Sequence, residues 1–123
     1  MDQTRVRGHR DLTTWQHAMT LARLVYEATA TFPNKETYGL VAQMRRAAVS
    51  IPSNIAEGAG RGTPAEFRHF LRVARGSLSE LETQLLLAED FGYLQPNHAI
   101  AETISSLFRL CKGLENKLTS QIK

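Results

Sequence analysis

Apolar residues recur along this chain at steps of three and four, and nothing in it resembles the alternation of a strand. That period belongs to helices buried along one side, and the pattern predicts four of them. The first spans about Asp11 to Thr31, with Asp11 as its cap. Trp15, Ala18, Met19, Ala22, Val25, Tyr26 and Thr29 fall on one face of it. Phe32-Pro33-Asn34 stops it, because a proline disfavours helical geometry in the residue before it.

The second helix is expected to start near Lys35, capped by Asn34. Leu40, Met44, Ala47, Ile51 and Ile55 form its apolar stripe. Arg46, Ser50, Ser53 and Glu57 lie on the neighbouring flank, with Asn54 between them. Pro52 removes the bond to the Ala48 carbonyl and is expected to bend the helix, with Ser50 and Ser53 placed to satisfy freed groups. Asn54 and Glu57 are expected to hydrogen-bond near that bend and across to another helix. Gly58, Gly60 and Gly62 end the element in a tight turn. Thr63-Pro64-Ala65-Glu66 then reads as a helix start, with threonine capping, proline in the first position and Glu66 completing a capping box.

The third helix runs to about Phe91, Gly92 to Pro96 break the chain, and the fourth covers about Asn97 to Thr119. Its seam is Ile100, Ile104, Leu107, Cys111, Leu114 and Leu118. Long helices with short connections predict an all-α, antiparallel up-down-up-down four-helix bundle over residues 11–121. Residues 1–10, with Arg5, Arg7 and Arg10, are expected to form a flexible basic arm.

The third helix carries more than one seam. Phe67, Leu71, Ala74, Leu78, Leu81, Leu85 and Ala88 cluster within roughly 60° of one another and face the core. Phe70, Val73, Ser77, Glu80, Gln84, Leu87 and Phe91 form a second, mixed seam. Two neighbours suit it equally: another helix of the same bundle, or another subunit. A third sector holds Arg68, Arg72 and Arg75, spaced so that their side chains project together. Guanidinium groups in a row suit phosphate oxygens. They equally suit solvent, or acids on a partner helix. Arg61 precedes this helix, and Arg45 and Arg46 lie in the one before.

Charge and composition change this picture little. The net charge of +3 permits nucleic-acid binding without requiring it. One cysteine, Cys111, excludes an intrachain disulfide and reads as core. No signal-like or membrane-spanning run occurs, so the expected compartment is the cytoplasm, with no membrane partner. His9, His17, His69 and His98 lack metal-ligand spacing. The serines have no histidine base beside them, and Gly58-Ala59-Gly60-Arg61-Gly62 lacks the lysine and preceding strand of a phosphate loop. The expectation is no enzyme, no cofactor and no metal.

The central run resembles a known family. The matching residues are Asp11-Leu12, Trp15-Gln16, Phe32-Pro33, Tyr38-Gly39-Leu40 and the continuous stretch Gln43 to Gly58, which includes SIPSNIAEG. They continue as Phe67, Phe70-Leu71, Ala74 to Leu78, Glu80-Leu81-Glu82 and Gly92-Tyr93. They resemble the bacterial four-helix-bundle proteins encoded by intervening sequences within 23S ribosomal RNA genes. The resemblance implies assembly into a homopentameric, barrel-like ring. The chain is also similar to accessory proteins of diversity-generating retroelements, pentamers that bind RNA and reverse transcriptase through a basic surface. The resemblance implies no enzymatic activity and transfers no catalytic residue.

Two functions remain open at this point. One is a non-catalytic homo-oligomer that binds structured RNA or other nucleic acid, alone or with a nucleic-acid-processing protein. Its candidate contacts are Arg45, Arg61, Arg68, Arg72 and Arg75. The other is a protein-interaction scaffold with no nucleic-acid role, built on the second seam.

Overall fold

The computed structural model describes residues 8–96 and 99–122. Among these residues it has four α-helices and no strand. They are α1 (Thr13–Thr29), α2 (Leu40–Arg61), α3 (Pro64–Asp90) and α4 (Ala99–Gln121). Of the expected basic arm, residues 1–7 lie outside the described residues, and 8–10 belong to a short 3₁₀ helix, Gly8–Asp11. The expected start of the last helix at Asn97 also lies outside them.

The start of α1 differs from expectation. The 3₁₀ helix turns the chain so that Leu12, not Asp11, is the residue before α1, and it makes no side-chain cap bond. The Leu12 amide instead donates to the His9 carbonyl at 2.9 Å. The buried face is also turned from the expected one. Its centre is Ala18, Leu21 and Val25, with Thr14 and Thr29 at the ends. Trp15, Met19 and Ala22 are half-buried at the flank towards α2, and Tyr26 is exposed. Leu24 and Ala28 supply an apolar flank on the other side, so the wide stripe has its middle elsewhere.

Helix α2 starts five residues later than expected. Asn34–Glu36 form a 3₁₀ helix, and Gly39 (φ −109°, ψ −108°) breaks the path into α2. Asn34 caps nothing. The start of α2 is served by Glu36, whose carboxylate accepts from the Leu40 amide at 3.4 Å, at the positive pole of the helix. The Tyr93 hydroxyl donates to the other oxygen of Glu36 at 2.9 Å, which ties the α3–α4 connection to the α1–α2 connection. Within α2 the expected stripe Leu40, Met44, Ala47, Ile51 and Ile55 is buried, and the helix continues through Pro52.

The glycines after Pro52 divide their roles. Gly62 takes φ 89°, a left-handed geometry that favours glycine, and ends α2. Gly58 lies inside α2 and is buried there. A Cβ at Gly58 would stand 2.8 Å from Phe70 Cβ and 3.3 Å from Phe67 Cα, so its lack of a side chain sets how closely α3 approaches. Thr63 caps α3 as expected, its hydroxyl accepting from the Glu66 amide at 3.2 Å, and Pro64 follows at the first turn.

The most extensive helix contact is α2 with α3, followed by α3 with α4 and α1 with α2. Ser50 meets Ser77 and Gly58 meets Phe70, while Arg75 meets Glu115 and Arg68 meets Thr119. Leu71, Leu78 and Leu81 of α3 are fully buried between these neighbours. Each contributes roughly 1.5–3 kcal/mol of transfer free energy, set against chain entropy. No helix among the described residues is long and apolar enough to cross a membrane.

Candidate nucleic-acid interface

The three sectors of α3 each have a neighbour. The first seam meets the core, the second borders α2, and the arginine sector borders α4. Arg68 donates from Nη1 to Thr119 Oγ1 at 3.2 Å. Arg75 meets Glu115 side-on: Nη2 donates to Oε1 at 3.1 Å, and Nε stands 2.9 Å from Oε2 as an ion pair at an angle outside hydrogen-bond geometry. Arg72 Nε lies 3.6 Å from Glu115 Oε1. Three guanidinium groups thus gather around one buried carboxylate and its neighbouring turn. The arginines remain open on their outer side: the Arg72 side chain is 54% exposed and that of Arg75 38%, against 4% for Glu115.

Glu115 is the member of this group that the spacing does not single out. The steps Cys111, Leu114, Leu118 and the steps Cys111, Glu115, Leu118 fit a helical seam equally well. Hydrophobicity selects the first. The structure buries Glu115 and leaves Leu114 half-buried, because the arginines on α3 supply its counter-charge. The signal in the sequence was the excess of arginine on α3, which calls for an acid at seam spacing on a neighbour.

Arg45 and Arg61 do not join this group. Arg45 donates from Nε to Thr29 Oγ1 at 2.9 Å and from Nη2 to the Tyr26 carbonyl at 3.1 Å, and lies over the Tyr26 ring at 4.4 Å. It fastens α2 to the last turn of α1. Arg61 pairs with Glu57 at 3.0 Å and stands 3.8 Å from Glu66, over the Phe70 ring.

The polar flank of α2 divides in two. Ser50 and Ser77 share a hydrogen bond of 2.8 Å across the α2–α3 contact. Asn54 donates from Nδ2 to the Ser50 carbonyl at 2.8 Å and to Ser50 Oγ at 2.9 Å, so it supports that bridge from within α2. Glu57, expected to reach another helix, instead binds Arg61 one turn on, and Ser53 is exposed. The reason is position: Ser50 points between the helices, whereas Glu57 lies beyond the edge of the contact.

The second seam of α3 is shared as well. Gln84 is buried, donating to Glu80 at 3.4 Å, with its Oε1 unpartnered; Phe70 and Ser77 are half-buried. Val73, Glu80, Leu87 and Phe91 remain exposed.

No group of three or more His, Cys, Asp or Glu side chains among the described residues could hold a metal ion. Cys111 lies one turn before Glu115. Burial, reinforced by the Glu115 charge and partly countered by Arg75, pushes its thiol up to about 11. That keeps it protonated and a poor nucleophile at neutral pH.

The sequence profile of the 23S rRNA-intervening sequence protein family matches residues 10–121, across all four helices. The chain belongs to that family. Comparison with curated proteins gives no match. The match extends the resemblance seen in the central run through α4 and includes every residue of the arginine–Glu115 group.

Proposed function

We propose that this protein is a non-catalytic, cytoplasmic, homo-oligomeric helical bundle that binds structured RNA or other nucleic acid through the outer side of Arg68, Arg72 and Arg75. The antiparallel up-down-up-down bundle is the repeating unit of a ring, pentameric by resemblance to the family. The observation that carries the reading is the charge imbalance beside Glu115: Arg72 and Arg75 share its one carboxylate, Arg68 sits on Thr119 one turn along, and Arg72 keeps more than half of its side chain open. Glu115 holds two of the arginines in place, which lowers the entropy cost when they meet a phosphate. Ring symmetry repeats the group in every subunit, so weak contacts add. The exposed Val73, Leu87 and Phe91 support self-assembly.

The reading is tested with a fluorescent RNA hairpin and anisotropy across a salt series. Arg75 also neutralises the buried Glu115, so Arg68→Gln with Arg72→Gln is the cleaner variant. The expected result is binding that weakens steeply with salt, with a log–log slope that is shallower in the variant by about 0.7–0.9 for each phosphate it no longer neutralises. Absence of wild-type binding at low salt, or an unchanged double variant, overturns it. A second reading, a protein-interaction scaffold without nucleic acid, is favoured by one observation: Arg72 and Arg75 are already engaged by Glu115. A wild type that assembles but binds no hairpin selects it.

A further inference from the structure

Apolar surface between α1 and α2 is left uncovered by the other helices. A groove of about 360 Å³ lies there, lined by Trp15, Met19, Ala22, Val49, Pro52 and Ala56, with Ser53 as the one hydroxyl. Val49 is 44% exposed, and so is Tyr26, which continues the same face of α1 one turn beyond Ala22. Pro52 adds its ring to the floor and has no backbone N–H to offer.

The rim of this groove is basic. Arg23 stands four residues after Met19, and Arg46 three before Val49, so each sits beside a lining residue on the outer edge of its helix. Both are exposed. Arg23 reaches Thr20 Oγ1 at 3.2 Å, and Arg46 has no side-chain partner among the described residues. The two helices supply no acid to answer them. Glu57 is paired to Arg61, and Glu27 lines a separate hollow with Leu94 and Ala99, on the α4 side of α1.

We infer that this groove is a docking site for an acidic amphipathic helix of a second protein. Apolar side chains of such a helix fill the floor, and its acids meet Arg23 and Arg46. From Trp15 to Tyr26 the open face of α1 runs about 16 Å, roughly three turns, which is long enough for anchors at i, i+3 or i+4 and i+7. A polyanion such as RNA suits the floor badly, because phosphates need donors and Ser53 is the one hydroxyl there. This chain does not itself offer such a helix. On α3, Leu86 lies with Arg68 and Arg72, and Glu82 and Glu89 point away from Phe91. Among its described residues, α4 exposes no large apolar side chain. The groove is separate from the arginine–Glu115 group between α3 and α4, and the inference stands whether or not that group binds RNA.

Trp15 is the chain's single tryptophan, so its emission reads the groove directly. The probes are two tryptophan-free synthetic peptides of about 15 residues with the same leucine face. One carries glutamates beside that face and the other lysines. The acidic peptide is expected to shift Trp15 emission to the blue, as the half-buried indole loses water. It is expected to bind at least about tenfold more tightly than the lysine peptide. Arg23→Glu with Arg46→Glu is expected to reverse that order, and far-UV circular dichroism checks that this variant stays helical. Equal binding of the two peptides, an unchanged order in the variant, or binding without any change at Trp15 overturns the inference. A blue shift that grows with protein concentration in the absence of peptide shows that a second copy covers the groove, and overturns it as well. So does an RNA hairpin that shifts Trp15 emission where the acidic peptide does not.

Discussion

The two flanks of α3 hold their neighbours by opposite means. Towards α2 the contact is close, uncharged and made by small groups: Gly58 beneath Phe67 and Phe70, and one hydroxyl bridge from Ser50 to Ser77. Towards α4 it is made by long side chains, with Arg75 and Arg72 reaching a carboxylate on the other helix. The close flank gains dispersion contacts, which reward fit and tolerate no added volume. The charged flank gains a paired ion, which tolerates volume but not the removal of a partner. One helix thus places its shape-sensitive surface and its charge-sensitive surface on opposite sides.

That contrast breaks most easily at Arg75. Arg75→Ala leaves Glu115 buried with Arg72 alone, at 3.6 Å. The expected destabilisation is about 3 kcal/mol in urea unfolding. Arg68→Ala, which removes a bond to a threonine, is expected to cost less than about 1 kcal/mol. Equal effects would show that the flank acts as one undivided charge cluster.

The close flank is probed next by Gly58→Ala. Alanine favours a helix by about 1 kcal/mol over glycine. The new Cβ, however, meets the Phe67 backbone as well as Phe70. A net destabilisation of about 1–2 kcal/mol is expected, since overpacking outweighs the propensity gain. A rise in melting temperature would mean that α3 can move away at little cost.

The smallest effects sharpen the edge of the contact. Asn54→Ala removes two bonds at the serine bridge and is expected to cost about 1 kcal/mol. Glu57→Ala removes an exposed pair with Arg61 and is expected to cost less than about 0.5 kcal/mol. Reversal of that order would place the α2–α3 boundary one turn further along.

Much of this was legible from periodicity. The three sectors of α3, the Thr63-Pro64 start and the stripe of α2 follow from spacing alone, because a helix repeats its own geometry. Three features were not. Tyr26 was expected inside and Leu21 was passed over, because a helix packed between two neighbours has a wide apolar arc, and its middle depends on where those neighbours stand. The late start of α2 depends on Glu36, whose role is fixed by Tyr93 from a distant connection. Glu115 escapes a local pattern because such a pattern ranks leucine above glutamate, whereas its burial is decided by arginines at least 40 residues away in sequence. In the candidate site, spacing placed Arg68, Arg72 and Arg75 on one face; it could not separate them from Arg45 and Arg61, since that depends on tertiary contacts.

The burial of Cys111 gives the molecule a chemical clock. Its sulfur is sealed beneath the arginine–Glu115 group, and at neutral pH its thiolate is scarce as well. A thiol reagent therefore counts the moments when the core around Cys111 opens, one chain at a time, without any added label. The same thiol also dates the chain's failure in alkali. An unfolded cysteine ionises near its ordinary value of 9.0, whereas the folded one holds its proton to about 11. The stabilising difference is whole below pH 9 and drains away between pH 9 and 11, by at most about 1.4 kcal/mol per pH unit. Cys111→Ala should abolish that part of the alkaline decline, and equilibrium unfolding at pH 8 and about pH 10.5 reads the difference.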